Sequence, residues 1–239
     1  MLKEYKILGA RCIAVKSLPE YKNYITNLVK QGKGGYSVAI NAEKVMLYQK
    51  NDEIKNIIDN SILPSPDGVG ALIGLKFLHG IKSIKVDLPK TILEIANENA
   101  NKLYILGATK EVNDLAKATI LQRYPNILLV GNRDGFFTNE AEVIDEIVAL
   151  KPEFIMLALG TPKQEILAKK INKKLANTIL IGCGGAFDVL AGKVNRAPMF
   201  FQNLHLEWFY RLVSNPTRIK RQKVLPIFLL KILKASIFK

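Results

Sequence analysis

The 239-residue sequence predicts an α/β domain, a largely parallel sheet covered by helices, followed by a basic helical appendage. Three observations lead there. Short apolar runs alternate with longer amphipathic ones, each apolar run ends near a glycine or a polar residue, and the strand-like signal stops where positive charge accumulates. Unbroken apolar runs are what strands look like when helices cover both faces of a parallel sheet. The alternation is therefore Rossmann-like, and ligands are expected beyond the carboxyl ends of the strands.

In chain order, Tyr36–Ile40, Leu103–Leu106, Ile127–Val130, Phe154–Ala158 and Thr178–Ile181 read as strands. Helical patterns occupy about 43–60, 68–79, 89–100, 110–123, 138–150 and 162–173, with a short strand at 84–86. From Pro198 onward three helices are expected, Phe200–Val213, Pro216–Lys223 and Pro226–Phe238, each introduced by a proline near its first turn. On the last, Leu229, Leu230, Ile232, Leu233 and Ile237 share one arc opposite Lys231 and Lys234. Basic flanks beside an apolar face favour a helix lying on a membrane over one packed on the core. The division drawn is residues 1–195, an α/β catalytic domain, and 196–239, a basic appendage that closes the site and meets the membrane.

Composition narrows the function. Apolar residues at 49% and charged residues at 23%, with no low-complexity tract, exclude global disorder. Thirty-five Lys and Arg against 21 Asp and Glu give +14, which favours anionic partners. Between Lys193 and Lys239 ten cations face only Glu207, so +9 of that charge sits in the appendage. Cys12 and Cys183 are too few for a disulfide framework or a structural zinc site and read as small buried hydrophobes. No uncharged apolar run approaches the roughly 18 to 20 residues that span a bilayer, and the start lacks a secretory signal.

Three constellations can carry chemistry. Ser65-Pro-Asp67-Gly-Val-Gly70 enters a helix; with Gly68, Gly70, Gly74 and Asp87 it superficially matches a dinucleotide fingerprint. Pro64 and Pro66 leave hardly any strand before it, and an acid there repels a pyrophosphate. Asp67 reads either as a general base or as a helix N-cap. In Leu159-Gly-Thr-Pro-Lys-Gln-Glu165, Thr161 suits a cap and Pro162 the first helical position, whereas Lys163 and Gln164 could bind a base, ribose or phosphate. Gly182, Gly184 and Gly185 follow a buried strand and allow backbone to approach a ligand. Asp188 either binds that ligand or pairs with Arg196. No Asp-x-Asp pair or histidine cluster is present to hold a metal.

The order Asn41-Ala-Glu43, Pro66-Asp-Gly-x-Gly70, Leu106-Gly107, Tyr124-Pro125, Val130-Gly131 with Gly135-Phe-Phe137, Leu159-Gly-x-Pro-Lys-Gln-Glu165, Gly184-Gly-Ala-Phe-Asp188, Gly192-Lys-Val-x-Arg-Ala-Pro198 and Leu206-Glu-Trp208 through Arg211-Leu212 resembles the WecG/TagA/CpsF family, glycosyltransferase family 26, over nearly residues 5–223. The resemblance implies inverting, metal-independent transfer, with no cofactor, from a UDP-sugar to an undecaprenyl-diphosphate-linked sugar, at the inner face of the bacterial plasma membrane. It implies that Asp67 is the general base and that Arg211, Arg218 and Arg221 meet the diphosphate. It further implies that Asn41, Gly68, Gly107, Gly131, Lys163, Gln164, Gly184, Gly185, Asp188 and Arg196 line the substrate pocket. Ala39, Lys85 and His205 stand where relatives often carry Thr, Arg and Gly, so the sugar is less defined than the activity class. Two alternatives stay open: an NAD-type Rossmann oxidoreductase, and a non-enzymatic module binding anionic membrane or nucleic acid. Nucleic acid is disfavoured, because the appendage aromatics crowd at helical spacing instead of interleaving with cations. The oligomeric state, a homo-oligomer included, is left open.

Overall fold

The computed structural model describes residues 2–194, 198, 201 and 224–237. Its centre is a six-stranded, all-parallel sheet formed by β3 (Gly35–Ile40), β4 (Leu63–Pro66), β5 (Lys102–Gly107), β6 (Leu128–Arg133), β7 (Phe154–Ala158) and β8 (Ile179–Gly182). The spatial order is β4-β3-β8-β7-β5-β6. Because successive side chains in a strand point to opposite faces, each apolar run feeds two cores. Val38, Ile40, Leu106, Leu157 and Leu180 face one side; Leu103, Ile105, Met156, Ile179 and Ile181 face the other.

The first core is covered by α2 (Ala42–Tyr48), α3 (Asp52–Asp59), α4 (Gly68–His79), α7 (Glu140–Leu150) and α8 (Lys163–Lys174). The second lies under α1 (Leu18–Lys30), α5 (Leu88–Glu98), α6 (Lys110–Arg123) and α9 (Ala186–Leu190). A hairpin of β1 (Glu4–Ile7) and β2 (Ala10–Ile13) and the helix α1 precede the sheet, and the sequence patterns did not disclose them.

Four expectations are corrected. The pattern at 43–60 is two helices, because Asn51 accepts a hydrogen bond from the Ile54 N–H at 3.0 Å and caps α3. Pro64 and Pro66 do lie in a strand; β4 is the sheet edge, where a missing N–H is tolerated. Residues 84–86 form no strand, though the Ile84 N–H bonds the Val15 carbonyl at 2.8 Å. Asp87 caps α5, accepting from the Lys90 N–H at 3.3 Å.

At the C-terminal end α10 (Val224–Ile237) packs against α2 and α4, with Phe228 and Ile232 fully inside the first core. The choice between core and membrane is therefore not exclusive: Leu230, Leu233 and Ile237 remain exposed on the opposite side, while Leu229 leans on the core. Two expected helices, Phe200–Val213 and Pro216–Lys223, lie outside the described residues except for Phe201. No helix among the described residues is long and apolar enough to cross a membrane.

Cys12 and Cys183 are free and buried, as small hydrophobes would be. Burial pushes the Cys12 thiol up to about 12 and raises Cys183 as well, so both stay protonated at neutral pH. Neither is expected to react with a thiol-specific disulfide reagent at pH 8 until the chain is unfolded. Rapid labelling of the native protein would show that one of them is accessible after all.

Candidate active site

Parallel strands bring all their carboxyl ends to one rim, and the predicted residues collect there. Along the sheet order, Asp67 follows β4, Asn41 follows β3, Gly184 and Gly185 follow β8, Lys163 and Gln164 follow β7, and Gly107 ends β5. This is where an open α/β sheet offers loop backbone and helix N-termini to a ligand. A cleft of about 560 Å³ opens at the opposite rim, lined by Arg11, Lys33, Gly34 and Asn177 among others. Its Arg11 is spent on Glu4 and on the carbonyls of Asp59 and Ser61, and none of the predicted residues lies there. The residues named above from the sequence lie at the carboxyl rim instead.

Asp67 occupies the N-cap position of α4, yet its side chain makes no capping hydrogen bond. The local pattern alone cannot distinguish cap from base, but here the carboxylate is not consumed by the helix. Instead Asn41 Nδ2 donates to Asp67 Oδ2 at 3.4 Å, while Asn41 Oδ1 accepts the Lys44 N–H at 3.0 Å and caps α2. The Asp67 N–H bonds the Ile40 carbonyl at 2.8 Å, which fixes the turn. Behind it, the buried Tyr21 hydroxyl of α1 hydrogen-bonds Ser65 Oγ and locks the end of β4. Gly68 has φ +71°, a conformation that side-chain-bearing residues rarely adopt, and so lets the chain turn from Asp67 into α4.

The remaining glycines of that run have packing reasons. A Cβ on Gly70 would meet Ala42 Cβ at 3.0 Å, and one on Gly74 would meet Ile7 Cγ2 at 2.6 Å. With Asp87 engaged as a helix cap, the dinucleotide reading loses both its glycines and its acid. Gly107 and Gly131 are also tightly packed: a Cβ would meet the Ala158 carbonyl oxygen and the Tyr104 ring, respectively, each at 2.5 Å. Gly107 lies at the rim, whereas Gly131 lies inside β6.

At the next segment the capping expectation fails. Pro162, not Thr161, stands at the N-cap of α8 and no side chain caps the helix. Thr161 Oγ1 donates instead to Glu165 Oε1 at 3.1 Å. Gln164 is buried, its Nε2 donating to Glu165 Oε1 at 3.2 Å, and it presses on Gly182, where a Cβ would lie 2.5 Å from Nε2. Lys163 is exposed, with Nζ 5.1 Å from the centroid of the Phe137 ring. Sequence reasoning missed the buried ion pair between Lys44 and Glu165. Its only signal was a lysine next to Val45-Met-Leu47.

Gly184 and Gly185 are exposed at the end of β8, and Asp188 is half-buried in the first turn of α9. Arg196, the expected partner of Asp188, lies outside the described residues, as do Arg211, Arg218 and Arg221. Among the described residues no group of three or more His, Cys, Asp or Glu is arranged to hold a metal.

The rim thus carries a carboxylate that makes no helix-capping bond and accepts from Asn41, with Gly184 and Gly185 exposed after β8. Residues 5–239 match the model of the Glycosyl transferase WecG/TagA/CpsF family. The chain belongs to this family. It is an enzyme, a glycosyltransferase. An N-acetylglucosaminyldiphosphoundecaprenol N-acetyl-beta-D-mannosaminyltransferase of Bacillus spizizenii is 31% identical over 212 residues, covering 87% of this chain and 82% of the relative. A protein of the same description from Bacillus subtilis is 30% identical over 222 residues, covering 91% and 87%. Within this glycosyltransferase the family motifs map onto the strand ends: Asn41 after β3, Asp67 after β4, Leu159 to Glu165 after β7 and Gly184 to Asp188 after β8.

Proposed function

We propose that the protein transfers an N-acetylmannosamine-type sugar or a hexose from a UDP-sugar to an undecaprenyl-diphosphate-linked N-acetylglucosamine or hexose, with inversion and without a metal, in the synthesis of a bacterial cell-surface polysaccharide or teichoic acid. The single observation that carries the reading is Asp67: a carboxylate at the carboxyl rim, free of the helix it precedes and oriented by Asn41. The names of the two Bacillus relatives support the lipid-linked acceptor and the N-acetylmannosaminyl group.

In this mechanism one Asp67 oxygen takes the proton of the acceptor hydroxyl as the hydroxyl oxygen forms its bond to the anomeric carbon. The bond from the anomeric carbon to the UDP oxygen breaks on the opposite face, which inverts the configuration. The donor is held by Lys163 and Gln164 and by the Gly184-Gly185 turn, with Gly68, Gly107, Asp188 and Arg196 completing the pocket, whereas Gly131, packed inside β6 against Tyr104, does not reach it. Arg211, Arg218 and Arg221 receive the negative charge that builds on UDP, a role suited to bidentate guanidinium contacts. The appendage brings these arginines and the apolar side of α10 to an anionic membrane, so the enzyme works as a peripheral protein on the cytoplasmic face.

The test is to incubate the protein with a panel of UDP-sugars and a lipid-diphosphate-linked N-acetylglucosamine or hexose and to identify the product by mass. A lipid gaining one N-acetylhexosamine or hexose supports the reading; hydrolysis or no product with every donor contradicts it. EDTA is expected to leave turnover intact, and complete loss restored by Mn²⁺ or Mg²⁺ would refute the metal-free account.

A further inference from the structure

We infer that the buried Lys44–Glu165 ion pair is a positioning device, joining the first turn of α2 to the first turn of α8 so that Asn41, Asp67 and Gln164 are held in one arrangement. The inference rests on the transferase reading for its kinetic consequences, but its geometry stands on contacts alone. Lys44 and Glu165 are both buried and their side chains are bonded to each other. Lysine and glutamate are almost never fully buried unless paired, and a buried pair is weak evidence for stability, since apolar replacements of similar volume are often as stable. A pair retained between two segments of the candidate site therefore calls for a reason other than stability.

The contacts supply one. The Lys44 N–H binds Asn41 Oδ1 at 3.0 Å, which turns the Asn41 amide so that its NH₂ faces Asp67 at 3.4 Å. The Lys44 ammonium reaches Glu165 Oε1, and the same oxygen accepts from Thr161 Oγ1 at 3.1 Å and from Gln164 Nε2 at 3.2 Å. An ionised carboxylate only accepts, so it dictates which way the Gln164 amide points. With the NH₂ committed to Glu165, Gln164 Oε1 is left as a buried acceptor with no partner among the described residues. That atom is suited to a substrate hydroxyl or amide N–H. One carboxylate oxygen thus sets the donor side of the site through Gln164 and, by pinning the first turn of α2 whose Lys44 backbone N–H holds Asn41, steadies the amide that faces Asp67.

The experiment compares the wild type with the double variant Lys44→Met plus Glu165→Leu, which removes both charges together. In ¹⁵N–¹H spectra the side-chain amide signals of Asn41 and Gln164, assigned from Asn41→Asp and Gln164→Glu, are expected to move in a protein whose circular dichroism is unchanged. The kcat is expected to fall about 10²-fold, the scale of a small misplacement of reacting groups, with the KM for the UDP-sugar rising as Gln164 is released and the KM for the acceptor changing far less. Should the double variant fail to fold, Lys44→Gln plus Glu165→Gln takes its place, since it keeps polar groups in the pocket and again removes both charges together instead of leaving the Lys44 ammonium buried and unpaired. A folded variant with both amide signals unmoved, or with wild-type kcat in an active enzyme, overturns the coupling. A wild-type protein inert with every UDP-sugar, in whose double variant the two amide signals still move, overturns the transferase reading and keeps the coupling.

Discussion

Asp67→Asn is expected to lower transfer by about 10² to 10⁴-fold, the usual range for loss of a general base, while fold and UDP affinity stay close to wild type. The amide is nearly isosteric and α4 does not rely on the carboxylate, which makes no capping bond. A stability loss of about 1 kcal/mol, typical of a lost cap, is therefore not expected here. The measurement is kcat under saturating donor and acceptor, alongside UDP titration and thermal unfolding. Retention of more than half the activity would assign Asp67 to structure. Asn41→Ala removes the group that faces Asp67, and also the α2 cap, so it should cost both activity and about 1 kcal/mol of stability.

The contrast between these two residues shows where the sequence was informative. Four strands were legible because burial on both faces leaves only apolar side chains between Phe154 and Ala158 or between Leu103 and Leu106, whereas β6, at the sheet edge and only partly buried, still showed through its apolar Leu128 to Val130. Given parallel strands, the loops after them had to share a rim, so Asp67 and Gln164 could be grouped before any coordinates. The hairpin β1–β2 escaped because four-residue strands such as Glu4–Ile7 carry too little alternation to stand out. β4 was hidden by its prolines, which only its place at the sheet edge makes acceptable. The Lys44–Glu165 pair joins residues 121 positions apart, and no local spacing rule reports such a partner. Likewise an Asp before a helix looks the same as cap or as base; only the neighbouring Asn41 and the missing cap bond separate them.

The second large effect concerns α10, where two faces of one helix should fail in different ways. Phe228 and Ile232 are 0% and 1% exposed and close the first core over α2 and α4, while Lys231 Nζ bonds Gln49 Oε1 at 2.6 Å. Phe228→Ala should cost about 3 to 5 kcal/mol, a cavity penalty large against the stability of an ordinary domain. For the same reason, truncation after Asn195 is expected to yield an aggregating core, since it uncovers the apolar surface that these two residues seal. On the other side Leu230 and Ile237 are 68% and 76% exposed, beside Leu233 and Lys234. Leu230→Glu with Leu233→Glu should leave the unfolding midpoint nearly unchanged, because neither side chain belongs to the core. The same pair should abolish sedimentation with anionic vesicles, since it places two acids where apolar contact and lysines, each worth roughly 1 kcal/mol near an anionic surface, hold the protein. Leu229 is the wrong target for this test, because it packs against the core. If the Leu230/Leu233 variant sediments with vesicles as well as the wild type does, the exposed face of α10 is not the membrane contact, and the surface must be assigned to packing between copies of the chain.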